Sequence, residues 1–235
     1  MTEATKPALS FETTLSQYQE AINQDVAQYC AYLAEQAGAG GQGVAKAQQV
    51  FCRQLLVGSD RLPGCLVMEG YAMMGGTNQA MIVQAARALE MLRVSLEGDT
   101  TQAALMGNYA AMMILANLDA PAQLRTNVIS ITNRTLHLYA QAQADNSDDA
   151  FSTVTVLNPL HVGMVLADAD CHATDAITPF AHALGQAMLQ NSRGQAKITQ
   201  ISSILQALRK NSRHWSSQGT SFLEALTTYL LTPNK

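Results

Sequence analysis

Charge is what this sequence of 235 residues has least of. Only 14% of its residues are Asp, Glu, Lys or Arg, against about 25% in an ordinary soluble domain. The formal net charge of −4 speaks against an electrostatic grip on nucleic acid, which needs a clustered basic face. Scarce charge beside 48% hydrophobic residues also excludes a disordered chain, which would be poor in apolar residues and rich in charge. Cysteine is sparse too. Cys30, Cys52, Cys65 and Cys171 are far apart and form no Cys-x-x-Cys pair, so they read as buried thiols of a reducing compartment, not zinc ligands or a disulfide framework. The opening MTEATKPALS has neither the basic end nor the apolar run of a signal peptide. A cytoplasmic globular protein is expected.

Strand patterns are nearly missing as well. The best alternation, Thr153-Val154-Thr155-Val156, is too short and isolated to build a sheet. There is no repeat of fixed period, and no linker long enough to separate domains.

Gln, Asn, Ser and Thr supply the polarity that charge does not. Thr100 to Leu118 carries no formal charge, which is nearly the length of a membrane span. Gln102, Asn108 and Asn117 interrupt it, and no basic cluster flanks it. A helix buried all round at the centre of the protein is the expectation.

The hydrophobic period is helical almost everywhere. Leu15, Tyr18, Ile22, Val26, Tyr29 and Leu33 form one stripe, and the run Gly38 to Gly41 should end that helix. A second helix passes through Val50, Phe51, Leu55 and Leu56. Pro63 opens a third, CLVMEGYAMM, stopped by Gly75-Gly76. Ala80 to Leu96 makes a fourth. After the neutral helix, Asp119 and Pro121 have the form of an N-cap and a first-turn proline. The next helix carries Leu124, Val128, Ile131, Leu136 and Leu138 and breaks at Gln143 to Asp149. Further helices are expected from Ser152 to Ala167, Thr178 to Gln190, Lys197 to Lys210 and Ser216 to Leu231. The pattern supports about ten helices in a single all-α domain over residues 1–235.

Three stretches in this order resemble the trans-polyprenyl diphosphate synthase family. Gly58-Ser59-Asp60-Arg61-Leu62-Pro63, with the apolar helix and closing Gly-Gly after it, is similar to the family's Gly-Lys-Arg-x-Arg-Pro segment. AARALEMLRVSLEGD, Ala85–Asp99, is similar to the helix ending in the first aspartate-rich motif, Asp-Asp-x-x-Asp. His161–Leu189 is similar to the Gly-Ala-x-Leu-Ala loop and the Phe-Gly-x-x-Leu-Gly helix before the second aspartate-rich motif. The likeness runs from about Leu56 to Gln190. It implies a bundle of about ten helices around a central cavity, the isoprenoid synthase fold.

It also implies a chemistry. Such enzymes ionise an allylic diphosphate and let isopentenyl diphosphate attack the carbocation. The leaving group needs Mg²⁺ held by carboxylates on facing helices, and Lys and Arg hold the second diphosphate. This sequence departs from the pattern at nearly every one of those positions. Ser59, Asp60 and Leu62 stand where Lys, Arg and Arg are expected, and a slip of one residue would recover only Arg61. At the first aspartate motif an ungapped alignment places Thr100, Thr101 and Ala104, and a gap of one leaves Asp99 alone. Ser192 and Arg193 replace the leading aspartates of the second. The Arg-Arg-Gly loop after the first motif and the Lys-Thr loop near Thr153 are missing.

The residues left as candidates are Arg61 and Arg93 for diphosphate and Glu97 and Asp99 for a metal. No side chain is assigned to catalysis. No resident cofactor is expected, Mg²⁺ being needed only if activity is retained. The resemblance implies a homodimer, or a heteromer with an active prenyl synthase that contributes both motifs, and an isoprenoid ligand. The rival readings are an active divergent prenyltransferase, of isoprenyl diphosphates or a peptide pheromone, and a helical protein binding a small apolar ligand. Other clusters have plainer explanations. Asp168, Asp170, His172 and Asp175 suit an exposed loop with an N-cap. Asp145, Asp148 and Asp149 suit a polar turn. Glu90 and Arg93 suit a local salt bridge on one helix.

Overall fold

The protein is described by a computed structural model covering residues 10–36, 41–57, 60–97, 101–148, 150–193 and 199–232. Among the described residues there are ten α-helices and no strand. They are α1 (Phe11–Gln36), α2 (Gln42–Leu56), α3 (Leu62–Met73), α4 (Gln79–Glu97) and α5 (Thr101–Ala116). The second half holds α6 (Ala122–Ala144), α7 (Asn158–Leu166), α8 (Cys171–Ser192), α9 (Thr199–Asn211) and α10 (Ser217–Leu231). A π-helical turn, Thr153–Leu157, leads into α7, and a 3₁₀ turn, Ser212–His214, precedes α10. All ten helices contribute to one hydrophobic core cluster. None among the described residues is long and apolar enough to cross a membrane.

The centre of the bundle is α3, not the uncharged α5. Every residue of α3 except Ala72 is buried. The expectation of a central α5 buried all round is wrong. Ala103, Gly107 and Ala111, four apart, form its packed face. A Cβ on Gly107 would come within 2.3 Å of both Phe51 and Ser95, so the helix seats closely by its small residues. Its large apolar side chains are left outward: Leu105, Tyr109 and Met113 are 49%, 69% and 65% exposed. Lack of charge marked an exposed apolar face here, not an enclosed helix.

Glycine also sets the closest contact of the core, between α3 and α7. A Cβ on Gly163 would stand 2.1 Å from the Val67 carbonyl oxygen, and one on Gly70 would stand 2.5 Å from that of Leu160. Both collisions are with backbone, which cannot swing aside. Gly163→Ala is therefore expected to lower stability by about 2–3 kcal/mol in urea unfolding. Gly43→Ala, in α2 with nothing within 4 Å, should be neutral or stabilising. Equal effects of the two would show that helix approach is not what Gly163 provides.

Several helix ends differ from expectation. Pro121 itself occupies the N-cap of α6, with Asp119 two residues outside. The loop there is held instead by Arg125, whose Nη1 donates to the carbonyls of Leu118 and Ala120 at 3.2 and 2.7 Å. Helix α8 starts well before Thr178, because Asp170 caps it by accepting from the Ala173 N–H at 2.8 Å; Pro179 lies inside it. The segment resembling the family's Gly-Ala-x-Leu-Ala loop is helical, as part of α7. Gly38, Ala39 and Gly40, expected to end α1, lie outside the described residues, as do Asp149 and residues 196–198 at the expected start of α9. Of the cysteines, Cys30 and Cys65 are buried, Cys52 is half-buried and Cys171 is exposed, so the expectation of four buried thiols holds at two, is met only in part at Cys52 and fails at Cys171.

Candidate functional site

Pro159 shapes one wall of the site. Its ring cannot donate a backbone hydrogen bond and collides with the carbonyl four residues earlier, that of Thr155. The wider π turn at Thr153–Leu157 takes up that misfit and brings Val154 and Thr155 to the lining of a cavity of about 370 Å³. Pocket volumes of about 300–1,000 Å³ are usual for small-molecule sites. Leu89, Leu92, Arg93, Leu96 and Glu97 line it from one face of α4, at helical spacing. Thr135, Leu136, Tyr139, Ala142 and Gln143 do the same from α6. Leu62 and Pro63 of α3, Met188 of α8 and Asn158 of α7 close the rest. The wall is mainly apolar.

Its charged lining residues are Asp60, Arg93, Glu97 and Asp148. The first, third and fourth are exposed, so they mark the opening. Arg93 is held by carboxylates on its own helix. Its Nε lies 3.4 Å from Glu90 Oε2 and its Nη1 2.5 Å from Glu97 Oε2. The expected local pair of Glu90 and Arg93 is thus present, as one link of a longer chain. Glu90 is fully buried and also accepts from the Gly64 N–H at 3.0 Å and from Arg61 Nη1 at 3.4 Å. Asp148 is paired with Arg193.

The four sequence candidates separate accordingly. Arg93 and Glu97 line the cavity together. Arg61 is 2% exposed and is not among the lining residues. Its guanidinium is turned to Glu90 and to Asn23 Oδ1, 2.8 Å away. Its backbone sits at φ 54°, a left-handed conformation unusual outside glycine. The segment is tied down on either side: the Asp60 carboxylate accepts from the Leu62 N–H, and Gln19 donates to the Asp60 carbonyl. Asp99 lies outside the described residues, as do Gly58, Ser59 and Thr100. At the second motif position, the Ser192 hydroxyl donates to the Leu189 carbonyl of its own helix.

Sequence reasoning missed Asp148 and Asn158. Asp148 belongs to the acidic stretch read as a polar turn. The turn is present, with Asp145 closing α6 and Asn146 at φ 50°, but Asp148 faces the cavity as well. Asn158 is 5% exposed, and its buried Oδ1 has no hydrogen-bond partner among the described residues. A polar side chain beside proline carries no sequence signal for that. The cluster at Asp168 to Asp175 behaves as a capped loop: Asp168 has φ 60° and Asp170 caps α8. His161, nearby, donates through Nε2 to the Thr174 carbonyl at 2.8 Å, and burial lowers its pKa, which keeps it neutral.

A magnesium clamp does not fit the described residues. Mg²⁺ requires several oxygen ligands in near-octahedral array. Glu97 and Asp148 are each committed to an arginine, and no group of three or more His, Cys, Asp or Glu among the described residues is placed to hold a metal ion.

The architecture has clear counterparts. An FPP/GFPP synthase from Zymomonas mobilis, in its apo crystal structure, matches with a TM-score of 0.71 over 96% of this chain and 100% of its own, at 13% identity. The chain has the fold of the prenyl diphosphate synthases. A geranylgeranyl pyrophosphate synthase from Corynebacterium glutamicum, complexed with isoprenyl diphosphate and magnesium, gives a TM-score of 0.69 over 93% and 99% of the two chains, at 12% identity. A mint heterotetrameric geranyl pyrophosphate synthase, as a deletion mutant with ligands, gives 0.64 over 90% and 98%, also at 12%. No family model matches the sequence, and no curated protein matches it. This prenyl-synthase fold accounts for the expected order of helices and for a cavity between α4, α6 and α8.

Proposed function

We propose that this chain is a non-catalytic, single-domain member of the prenyl-synthase fold, serving in the cytoplasm as a binding or regulatory subunit of an isoprenoid-forming synthase. One observation carries the reading. The cavity has the apolar wall an isoprenoid needs, while its one lining arginine among the described residues is already held by Glu90 and Glu97. Asp60 and Leu62 stand where the resemblance expects diphosphate-binding arginines. Without a metal clamp the leaving diphosphate loses several kcal/mol of stabilisation in the transition state. At about 1.36 kcal/mol per tenfold, that is roughly a thousandfold in rate.

Arg93 and Glu97 are the candidates retained at the cavity, with Arg93 ordering its opening. The role of Arg61 on this reading is to neutralise Glu90. The outward stripe of Leu105, Tyr109 and Met113 on α5 is an exposed apolar surface suited to a second copy or a complete synthase. The heterotetrameric neighbour in fold supports the second of these.

The test is turnover of isopentenyl and geranyl diphosphates with Mg²⁺, by the purified chain alone and with a complete synthase from the same organism. The chain alone should run at least about a thousandfold below a working synthase, about 1 s⁻¹ or more. The mixture should form a complex that Tyr109→Glu weakens. Turnover by the chain alone at ordinary synthase rates would establish the rival reading of an active divergent prenyltransferase.

A further inference from the structure

Two of the four thiols meet away from the cavity. Cys30 stands one turn beyond Val26 on the buried stripe of α1, and Cys52 follows Phe51 on α2, the helix packed against it. Both belong to the core cluster, Cys30 enclosed within it and Cys52 half-buried at its edge. Their side chains are in hydrogen-bond contact. The other two thiols are placed differently. Cys65 is fully enclosed on α3, where the ionisable groups acting on it are Glu90, Asp60 and Arg61. Cys171 is exposed at the start of α8.

A disulfide requires two sulfurs that can meet without moving the backbone. Side chains already touching across two packed helices are placed to do so. The two sulfurs differ in access. An oxidant arriving from solvent meets half-buried Cys52 first, since Cys30 is 6% exposed. The neighbouring Cys52 sulfur and burial push the Cys30 thiol up, so it keeps its proton until Cys52 changes. Arg61 and Arg87 are close enough to act on Cys30 and lend the site positive charge, the usual surroundings of a reactive thiol.

We propose that Cys30 and Cys52 are a redox pair, in which hydrogen peroxide oxidises Cys52 and Cys30 then closes a disulfide between α1 and α2. In the first step the Cys52 thiolate attacks one peroxide oxygen and the O–O bond breaks. The departing hydroxide takes up the proton that Cys52 released and leaves as water, and Cys52 becomes a sulfenic acid. In the second step the Cys30 sulfur attacks the Cys52 sulfur and the S–O bond breaks. The hydroxide leaves with the Cys30 proton as a second water. Two thiols have lost two electrons, and one peroxide has become two waters. A small thiol reverses the bond by exchange, so in reducing surroundings the pair returns to its open form. The pair belongs to the fold and does not depend on the subunit reading.

The experiment treats the full chain carrying Cys171→Ser, which removes the exposed thiol, with hydrogen peroxide. Acid quenching, unfolding, alkylation and mass spectrometry follow. The chain should lose two hydrogens, a peptide joining Cys30 to Cys52 should appear, and dithiothreitol should restore both thiols. With Cys30→Ser added, Cys52 should stop at the sulfenic acid and be labelled by dimedone. With Cys52→Ser added, Cys30 should take no label and remain open to alkylation. Circular dichroism checks that each variant folds, and Cys52→Ser, at the more exposed position, serves alone if Cys30→Ser does not.

Full alkylation of Cys30 and Cys52 after peroxide would overturn the proposal. So would a disulfide that includes Cys65, or one that still forms in Cys52→Ser. None of these outcomes bears on complex formation or turnover, which test the subunit reading separately.

Discussion

Replacing Glu90 by leucine should destabilise the protein by about 3–5 kcal/mol, the usual cost of removing one partner from a buried ion pair. The melting temperature should fall by roughly 10 °C at this chain length. The reason lies in what is left behind. Glu90 is wholly buried and receives the Gly64 N–H, Arg61 and Arg93. Without it, the guanidinium of Arg61, at 2% exposure, keeps only Asn23 among the partners named above. The Gly64 N–H, in the first turn of α3, loses its acceptor, and the start of the central helix loosens. Exposed Arg209, paired with Glu224 at 2.6 Å, provides the comparison: Glu224→Leu should change stability by less than about 1 kcal/mol. Part of the Glu90 loss should return in Arg61→Met/Glu90→Leu, where no charge is stranded. Urea unfolding of the three variants decides it. A loss below about 1 kcal/mol for Glu90→Leu would mean that the buried network contributes nothing specific.

Wild-type protein should lose stability steadily between pH 4.5 and 8, and Glu69→Gln should not. Glu69 lies on α3 with 3% exposure, and the one side-chain hydrogen bond it is seen to receive is from the Tyr18 hydroxyl, at 3.1 Å. Burial pushes its pKa from the ordinary 4.5 up to about 8, the hydrogen bond from Tyr18 opposing the rise. A group held above its unfolded value binds its proton more firmly when folded. Its contribution is fully present below pH 4.5 and is lost as the pH rises through 8. Each pH step in that window costs about 1.4 kcal/mol, several kcal/mol across the whole of it. Glutamine has the shape of the neutral acid and no proton to lose. The two proteins should unfold together near pH 4, and Glu69→Gln should be the more stable at pH 8.5. Parallel stability curves from pH 4 to 8.5 would show that Glu69 stays ionised in the fold.

The helices were legible because their signals are local. The stripe of Leu15, Ile22 and Val26 is the buried face of α1, and Pro63 lies in the first turn of α3. The order of the three resembling stretches led to the fold that the solved synthases share at 11–16% identity. Where the local signals were ambiguous, packing decided. Asp119 offered a cap that the chain did not use, and Pro179 was absorbed within α8. The uncharged run became an outer helix because Ala103, Gly107 and Ala111 fit closely against α2 and α4. Arg61 and Arg93, alike as candidates and both bonded to Glu90, parted because Arg61 is enclosed beside Asn23 while Arg93 reaches Glu97 along the cavity wall. Cys30 and Cys52, 22 positions apart in sequence, meet across α1 and α2, where the neighbouring Cys52 sulfur and burial push the Cys30 thiol up.

The scarcity of charge, visible in the sequence at once, spoke against a disordered chain and a basic nucleic-acid surface, and the hydrophobic period determined a helical bundle with a large core. Neither determined where the remaining charges would go. Only the tertiary structure put Glu90 inside, between two arginines, and left Glu97, Asp148 and Asp60 at the opening of an apolar cavity. The physical reason is range. Helical periodicity and composition act over a few residues, whereas an ion pair or a cavity wall is made by residues tens of positions apart, brought together only when the helices pack.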